Sequence, residues 1–361
     1  MKKLLTILIG GLTAVLIASC SPASQQPNPT DPASASSPAS GTRIVKDSEG
    51  RDVEIPAEVT KVAPTIGAFS AVTAMLGASD KIVAAATSAL SPRFKATYPG
   101  YEKANPNGYD TKNVEDIIAS GAQVVYGPDN VNEEQQAQLK GAGIVFVSIN
   151  KLSTVEEMSQ AFTIIGNILG GEHQKKAEEL VTLYKGNVAD TTRRTSSLTD
   201  SERVTVLQLR SDGNEYSTIN SKDISHEYIV AAGGVNVAAD FTASGQGTGL
   251  VVDAEQVVSW NPRMIFTFSQ ESKKTILADP ALATVDAVKE QNIHVCPAGV
   301  YLWCVRSAEG ALTPHRLGKI LHPNLFTDVD VPGEVKAFYK DYGYQDLSDE
   351  ATQEILAGRE S

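Results

Sequence analysis

The chain is 361 residues long and 42% hydrophobic, and its 31 lysines and arginines against 43 aspartates and glutamates give a formal net charge of −12 at pH 7. This length and apolar fraction can support two globular domains with full cores. The acidic balance argues against a general nucleic-acid surface or an anionic membrane surface as the partner.

The amino terminus has the layout of a secretory signal. Two lysines precede an apolar run over residues 4–17, and small residues then lead to Cys20. The run is shorter than the roughly 20 apolar residues of a membrane-spanning helix, so residues 1–19 are predicted to be a removed signal peptide. Ile17-Ala18-Ser19-Cys20 resembles a bacterial lipobox, which implies lipidation of Cys20. The alternative is an ordinary cysteine close to a plain cleavage site.

A tether is predicted after the signal. Residues 20–42 are rich in Ser, Pro, Ala and Gln and can bury almost no apolar surface. Such a composition is typical of a flexible linker. A lipidated Cys20 followed by this linker predicts a protein anchored to the cell membrane on its extracytoplasmic side.

Folded sequence is predicted to begin with a β-hairpin. Residues 44–46 and 53–55 read as strands joined by the turn Asp47-Ser48-Glu49-Gly50, and Pro56 ends the second strand. The pattern then changes to strand, helix and strand, over residues 60–63, 68–76 and 81–84. This order is typical of an α/β fold.

An internal repeat indicates two related lobes. Residues 113–126 align without a gap on residues 253–266, and each copy reads as a short helix that leads into a buried strand. Upstream of each copy, a small apolar helix ends in glycine before another strand, over residues 75–83 and 231–237. We therefore predict two homologous α/β lobes.

A helical segment is predicted between the two lobes. Helical spacing runs over residues 154–169 and 172–195, with Gly170-Gly171 as a single break. The predicted organisation is an N-terminal lobe, a helical backbone and a C-terminal lobe, over residues 43–152, 153–197 and 198–361.

Two cysteines follow Cys20 in the sequence. Cys296 and Cys304 are eight residues apart and could close a small loop in an oxidising compartment. Spacing alone does not decide between a disulfide and two buried free thiols, because the distance between their Cα atoms is not known from sequence.

Several segments, taken in this order, resemble the helical-backbone class (class III) of ABC importer substrate-binding proteins. This class serves siderophore, haem, vitamin B12 and some oxyanion importers. The matching segments are residues 50–56, 76–83, 113–115, 143–147, 300–303 and 321–323. The resemblance covers nearly the whole mature chain and implies two Rossmann-like lobes joined by a long backbone helix, with a ligand cleft between the lobes.

The resemblance also implies a partner. In this class one glutamate on each lobe docks to the permease, and the matching residues are Glu115 and Glu255, which the repeat already pairs. The alternative is an acidic residue in the first turn of a helix, where the helix dipole favours it. The expected partners are an ABC permease with its ATPase, a small-molecule ligand and the membrane through the lipid anchor. We expect a monomer that binds no nucleic acid and needs no cofactor.

Candidate ligand residues lie in the loops that follow strands, because ligands of doubly wound sheets bind outside the carboxyl ends of strands. Three guanidinium groups suit bidentate recognition of carboxylates or oxyanions. Aromatic and amide side chains could add flat apolar contact and hydrogen bonds. The candidates are Arg93, Arg210, Arg306, Trp303, Tyr216 and Gln270. The alternatives are surface ion pairs for the arginines and core packing for the aromatic residues.

The histidines argue against a bare transition metal as the ligand. All five lie outside residues 43–152, so a site of imidazoles shared by both lobes is not expected. We therefore expect an anionic metal chelate of the ferric siderophore type. A corrinoid, haem or a molybdate-like oxyanion stay open as alternatives.

Two other classes of protein compete with an importer component. An enzyme is not expected, because the chain has no nucleophile elbow, P-loop or His-Glu-x-x-His motif, and the glycine-rich residues 245–249 lack the flanking strand and helix of a nucleotide site. The other alternative is a lipid-anchored adhesion or scaffold protein that kept the fold without transport.

Overall fold

The computed structural model describes residues 41–128, 130–213, 215–243 and 249–359. The predicted signal peptide, Cys20 and nearly all of the predicted linker lie outside these residues, as does most of the glycine-rich segment 245–249.

Eleven strands occur in the described part. They are β1 Thr42–Lys46, β2 Asp52–Pro56, β3 Val62–Pro64, β4 Val124–Gly127, β5 Val145–Ser148, β6 Val204–Asp212, β7 Glu215–Thr218, β8 Gly234–Asn236, β9 Leu250–Val252, β10 Met264–Thr267 and β11 Ile293–Val295.

Fourteen α-helices accompany these strands in the same described ranges. They are α1 Gly67–Thr73, α2 Pro92–Thr97, α3 Gly100–Ala104, α4 Val114–Ser120, α5 Glu133–Gly141, α6 Val155–Leu169, α7 Gly171–Thr195, α8 Ile224–Ala231, α9 Ala254–Trp260, α10 Gln270–Ala278, α11 Asp286–Lys289, α12 Thr313–Leu321, α13 Val331–Tyr342 and α14 Asp349–Leu356.

The first lobe contains the hairpin and a parallel sheet. Strands β1 and β2 pair antiparallel, from Thr42 with Pro56 to Lys46 with Asp52, which confirms the predicted hairpin. Strands β3, β4 and β5 are parallel and adjacent in this order. The strand predicted over residues 81–84 is reduced to a single bridge between Ile82 and Val62, because a tight turn occupies residues 79–81.

The second lobe repeats this sheet and extends it. The first half of β6 lies between β8 and β10, and β11 follows β10, all in parallel. The second half of β6 pairs antiparallel with β7, which in turn pairs with β9. The extension has no counterpart in the three-stranded sheet of the first lobe.

The repeat seen in the sequence is a repeat of structure. Helix α4 and strand β4 span residues 114–120 and 124–127, while α9 and β10 span 254–260 and 264–267, so the offset is constant. The neighbouring connections also agree. Val83 donates its N–H to the Val62 carbonyl at 3.0 Å, and Val237 donates to the Val206 carbonyl at 3.1 Å. The two lobes therefore share one strand order around their central strands.

Two long helices join the lobes. Helices α6 and α7 match the predicted helical segments, and Gly170 and Gly171, both at positive φ, make the turn between them. Ala177, Leu180 and Tyr184 bury one face of α7 in the main core. At 1.5 Å per residue, the 25 residues of α7 make a strut roughly 37 Å long.

The chain after residue 296 packs against the first lobe as well as the second. The Tyr98 hydroxyl donates to the Tyr342 carbonyl at 2.7 Å, and the Tyr344 hydroxyl donates to the Met75 carbonyl at 2.8 Å. One large cluster of buried residues accordingly includes side chains of both lobes and of α6 and α7. The domain boundaries taken from the sequence stay a prediction.

Candidate functional site

A cavity of about 330 Å³ lies in the second lobe, beside the end of β7 and the start of α8. Its lining combines two cationic side chains with hydroxyl, amide and carboxylate groups: Thr218, Asn220, Lys222, Asp223, Thr242 and Arg306. We call it the Arg306 cavity. Asp223 is fixed as the N-cap of α8, where it accepts the Ser225 N–H at 3.0 Å.

Arg306 is only loosely neutralised. One of its terminal nitrogens lies 3.7 Å from Asp223 Oδ2, too far for a hydrogen bond, and its side chain is 26% exposed. A guanidinium has five N–H donors in a fixed fork. Among the described residues Arg306 has no hydrogen-bond partner, so its donors can serve an anionic group in the cavity.

Arg306 ends a segment, residues 296–306, that follows β11, and we call it the binding segment. The structure joins Cys296 to Cys304 in a disulfide, with 6.0 Å between their Cα atoms. The Ser225 hydroxyl donates to the Cys304 carbonyl, and the Thr313 hydroxyl donates to the Trp303 carbonyl at 3.2 Å. These contacts attach the binding segment to the second lobe.

Tyr301 brings the binding segment to the boundary between the lobes. A Cβ atom on Gly67, the first residue of α1, would stand 3.1 Å from the Tyr301 ring. Burial raises the pKa of the Tyr301 phenol above its ordinary value of 10, and the nearby charge of Arg306 only partly opposes this shift. Tyr301 is thus the half-buried aromatic residue that links the first lobe to the surroundings of Arg306. Tyr301 was not among the candidate ligand residues chosen from the sequence, because residue type alone does not separate an aromatic side chain at a lobe boundary from one in the core.

Trp303 and Tyr216, both predicted from the sequence as ligand-contacting residues, are buried in the core of this structure, and their role at the ligand stays a prediction. Trp303 is 0% exposed, and Tyr216 is buried with its hydroxyl donating to Asp279 Oδ2 at 2.7 Å. Tyr216 alternates inward on β7 and packs with Leu207 and Ile276. Residue type indicated aromatic contact, but the direction of each side chain was not in the sequence pattern.

Arg210 is partly exposed on β6, and one of its terminal nitrogens lies 3.2 Å from Asp212 Oδ2. It is not among the residues that line the Arg306 cavity. Its neighbour on the adjacent strand is Ser217 of β7. The structure therefore does not bring Arg210 and Arg306 into one lining.

Arg93 and Gln270 are both covered by the carboxyl-terminal helix α14. Gln270 donates its side-chain N–H to the Ala357 carbonyl at 2.6 Å. Arg93 lies 3.7 Å from Glu354, and its Nε and one terminal nitrogen are buried without a hydrogen-bond partner in the described part of the chain. Both side chains therefore face protein in this structure.

Helix α14 was missed at the level of sequence, although a start signal was present. Ser348 caps the helix by accepting the Ala351 N–H at 3.1 Å, and Asp349 and Glu350 occupy the first turn. A serine followed by acidic residues is typical of a helix amino terminus. The helix positions Ile355 in the core and Glu354 beside Arg93.

Glu115 and Glu255 occupy the same position in their helices. Each is the second helical residue, of α4 and α9 respectively, and each is exposed. Asp253 caps α9 by accepting the Gln256 N–H at 2.7 Å. Within residues 41–359 as described, neither glutamate makes a hydrogen bond or ion pair. Their docking role stays a prediction.

The described residues contain no cluster of three or more His, Cys, Asp or Glu side chains arranged to hold a metal ion. The histidines have structural partners instead. His173 contacts the Leu76 carbonyl at 2.7 Å, His322 contacts the Gly233 carbonyl at 3.1 Å, and His315 lies 2.8 Å from Glu334. None of the helices in the described part is sufficiently long and apolar to span a bilayer.

Two α/β lobes joined by a long helical connection, with the carboxyl-terminal segments packed across both lobes, define the helical-backbone class of substrate-binding proteins. The chain belongs to the periplasmic binding protein family, whose model matches residues 63–299. It is accordingly an ABC transporter substrate-binding protein, which acts outside the cytoplasm and belongs to a transport family rather than to a family of enzymes.

Relatives of similar length support the assignment. The ABC transporter substrate-binding lipoprotein YvrC of Bacillus subtilis is 26% identical over 325 residues, which cover 88% of this chain and 96% of YvrC. The molybdate-binding protein MolA of Haemophilus influenzae is 24% identical over 326 residues, covering 83% of this chain and 90% of MolA.

Solved structures share the fold. A periplasmic solute-binding protein of Veillonella parvula superposes with a TM-score of 0.70 at 23% identity, over 88% of this chain and 97% of the other. MolA of Haemophilus influenzae bound to molybdate superposes with a TM-score of 0.72 at 22% identity, over 85% and 99% of the two chains.

Proposed function

We propose that this protein is a lipid-anchored receptor that captures an anionic ligand at the Arg306 cavity and delivers it to an ABC permease. The observation that carries the proposal is the loosely paired Arg306 guanidinium, which lies 3.7 Å from Asp223 at the wall of a polar cavity. The cavity lies in the second lobe, and Tyr301 of the same binding segment extends to the first lobe.

The charges of the cavity favour an anion. Arg306 and Lys222 contribute two positive charges, and Asp223 contributes one negative charge. Lys222 is exposed, and its ammonium makes no ion pair with another described residue. An anion that displaces the weak contact between Arg306 and Asp223 would gain charge-assisted hydrogen bonds, which are stronger than neutral ones.

An anionic metal chelate of the ferric siderophore type is the first ligand class. Its carboxylate, catecholate or hydroxamate oxygens suit Arg306 and Lys222, and the half-buried Tyr301 lies at the boundary between lobes, outside the lining of the Arg306 cavity. Haem and corrinoids need broader apolar contact, and the burial of Trp303 and Tyr216 removes two of the aromatic residues that would supply it.

A molybdate-like oxyanion is the second candidate. The lining of the Arg306 cavity is rich in short polar groups, including Thr218, Asn220 and Thr242. Such groups donate hydrogen bonds to compact oxygen ligands. The relative MolA is described as molybdate-binding, which adds support for this class.

Calorimetry with purified protein tests the ligand site. The panel contains sodium molybdate, a ferric hydroxamate, a ferric catecholate, cyanocobalamin and haemin. Arg306→Gln should weaken the compound that binds by about 10- to 100-fold, which corresponds to one hydrogen bond with a charged group. The matched control is Arg263→Gln. Arg263 is exposed and precedes β10, at the amino-terminal edge of the parallel strands, whereas Arg306 follows the carboxyl end of β11. Equal losses of affinity in both variants, or no loss in either, would show that Arg306 does not contact the ligand.

Uptake measurements test delivery to the permease. Glu115→Lys combined with Glu255→Lys should abolish uptake of the bound compound and leave its calorimetric affinity unchanged. Glu134→Lys combined with Glu290→Lys is the control, because these glutamates are also exposed. Full uptake by the first double variant would favour the adhesion or scaffold alternative.

The anchor has its own test. Cys20→Ala should release the protein from the membrane fraction into the soluble extracytoplasmic fraction, and it should prevent incorporation of labelled fatty acid. Continued membrane association of this variant would contradict lipidation of Cys20.

A further inference from the structure

A buried carboxylate lies beneath the binding segment. Glu309 is 0% exposed, and both of its oxygens are occupied. Oε1 accepts the Val300 N–H at 3.1 Å and the Tyr339 hydroxyl at 2.6 Å, while Oε2 accepts the Tyr301 N–H at 2.7 Å. Two consecutive peptide groups of the binding segment are therefore held by one side chain.

The backbone approaches this carboxylate more closely than a side chain would allow. A Cβ atom on Gly299 would stand 1.8 Å from Glu309 Oε1 and 2.1 Å from the Tyr339 hydroxyl oxygen. Such separations are far below van der Waals contact, so only glycine permits the arrangement. Gly299, Glu309 and Tyr339 thus form one packed unit.

Val300 connects this unit to the first lobe. Its N–H is shared between Glu309 Oε1 at 3.1 Å and the Tyr339 hydroxyl oxygen at 2.9 Å, and its carbonyl accepts the Ser91 hydroxyl at 3.0 Å. Ser91 caps α2 by accepting the Phe94 N–H at 3.0 Å. The peptide group that joins Val300 to Tyr301 therefore lies between Glu309, which accepts its N–H, and Ser91 of the first lobe, which donates to its carbonyl.

Glu309 is also a titratable group. Burial raises the pKa of Glu309 to about 7, although the hydrogen bonds from Tyr339, Tyr301 and Val300 lower it. The indole N–H of the buried Trp303 has no acceptor within hydrogen-bonding distance among the described residues. It is nevertheless close enough to Glu309 to help lower the pKa of that carboxyl.

The other titratable groups that face Glu309 are Tyr339 on α13 and Tyr98, which follows α2. Burial raises the pKa of Tyr339 and of Tyr98 well above 10, and the carboxylate of Glu309 raises both further. Both phenols therefore stay neutral at neutral pH. Within this cluster, Glu309 is the group whose charge changes in that range.

We propose that Glu309 is a positioning residue, which holds the backbone of Val300 and Tyr301 at the boundary between the lobes and so sets where Tyr301 and Arg306 face the ligand. The ligand-facing part of this inference rests on the proposed function. The carboxylate form makes charge-assisted hydrogen bonds to both peptide groups, and protonation weakens them. The binding segment is therefore held tightly above neutral pH and more loosely below it.

The free energy of unfolding depends on pH in the opposite direction to the hold of Glu309 on the binding segment. This difference separates a positioning role from a merely structural one. Because the pKa of Glu309 in the folded state is raised above its ordinary value of 4.5, its contribution to folding stability is full below pH 4.5 and is lost as the pH rises through about 7. The local hold on the binding segment strengthens over the same interval. Readouts must therefore report on the segment itself.

Trp303 supplies such a readout because it contacts this cluster and is one of only two tryptophans in the chain. In Trp260→Phe protein, Trp303 emission should follow a single titration with a midpoint near pH 7. Glu309→Gln should abolish the titration. Tyr339→Phe should move the midpoint upward, since it removes a hydrogen bond that lowers the pKa of Glu309. Glu290→Gln, an exposed control, should change nothing.

Hydrogen exchange then measures the hold directly. At pH 8, the peptide spanning residues 297–304 should exchange about tenfold faster in Glu309→Gln than in Glu290→Gln. A flat titration in the parent protein, a titration that persists in Glu309→Gln, or a downward shift in Tyr339→Phe would overturn the proposal. If Glu309→Gln does not fold, the parent titration and the Tyr339→Phe shift still decide. None of these measurements needs a ligand, so they can fail or succeed independently of the importer role.

Discussion

Gly121 and Asn261 end equivalent helices in the two lobes with the same left-handed backbone. Gly121 has φ 70° and ψ 28°, and Asn261 has φ 42° and ψ 61°. Each donates its N–H back into the last turn, to Ile118 and Val257 respectively, at 3.1 Å. Each then leads into the central strand, β4 or β10, that carries the sheet of its lobe.

Gly121→Ala should lower the free energy of unfolding by about 1 kcal/mol, because an L-residue is strained in the left-handed region. Space is not the cause, since the new Cβ would come no closer than 3.6 Å to another atom, the Lys61 Nζ. Urea unfolding measures the change. Asn261→Gly is the comparison: it relieves the backbone but removes two side-chain hydrogen bonds with Asp286, so the two effects should offset each other. An unchanged free energy of unfolding in Gly121→Ala would show that the left-handed backbone at this position carries no strain for an L-residue.

This equivalence shows what the sequence could predict. The gapless alignment of residues 113–126 with 253–266 requires equal helix and strand lengths, and the structure has them. The strand predicted over residues 81–84 shortens to a single bridge, because Val83 donates its N–H to Val62 of β3 while the Ile82 N–H bonds back to the Ser79 carbonyl. A pattern of apolar residues indicates that a strand is present. The number of backbone hydrogen bonds that the strand makes depends on the neighbouring strand, which the pattern does not describe.

Helices α6 and α7 offer a matched pair of internal glycines, Gly166 and Gly186. Gly166 of α6 lies against α7, where an added Cβ would stand 2.5 Å from the Ala177 Cβ. Gly166→Ala should therefore destabilise the fold by about 1 to 3 kcal/mol through overpacking. Thermal and urea unfolding measure this loss.

Gly186→Ala is the control for that experiment. Gly186 is exposed within α7, and a Cβ there would meet nothing within 4 Å. Alanine should stabilise the fold by about 0.5 to 1 kcal/mol through lower backbone entropy in the unfolded chain. Destabilisation by both alanines would indicate that the packing of α6 on α7 is not the cause.

His315 should stabilise the protein more at acidic than at alkaline pH. Burial lowers the pKa of His315, but Glu334 and Asp190 together raise it above the ordinary value of 6.5. A raised pKa means that the stabilisation is complete below pH 6.5 and is lost as the pH rises through the folded-state pKa. The difference in unfolding free energy between the parent protein and His315→Gln should therefore be larger at pH 5.5 than at pH 8.5.

His294 provides the opposite sign. Burial, with the nearby charges of Arg316 and Lys273, lowers the pKa of His294 to about 4. Its contribution is therefore complete above pH 6.5 and is lost as the pH falls toward 4. The difference between the parent protein and His294→Gln should be larger at pH 8.5 than at pH 5.5. The same trend in both variants would show that these local environments do not control the pH dependence.

The bond between Cys296 and Cys304 closes a short loop. Cross-linking residues eight positions apart should stabilise the fold by about 2.5 kcal/mol in the chain-entropy model. In the lipid-free Cys20→Ala protein, alkylating reagent should add no mass before reduction and two groups after unfolding and reduction. Replacing both cysteines by alanine should lower the unfolding free energy by the same order. Alkylation of both cysteines in unfolded protein before reduction would indicate free thiols instead.

The site was less predictable than the fold. Arg306 could be chosen from its residue type and its place after β11, and the structure puts it at a cavity wall. Trp303, three residues earlier, was chosen on the same grounds and lies in the core. The segment turns back on itself at the disulfide, so the direction of each side chain depends on contacts with α8 and α12 that sequence spacing does not encode.

The contacts that the chain beyond residue 296 makes with the first lobe bear on the order in which the protein is made. Met75 and Ser91 of the first lobe bond to Tyr344 and Val300, which are synthesised 269 and 209 residues later. A nascent chain that emerges amino terminus first can assemble β3, β4 and β5 early, but it acquires these partners only after 209 to 269 further residues have followed. Chaperones outside the membrane would therefore meet an open first lobe, and truncation before α13 would leave it permanently unfinished.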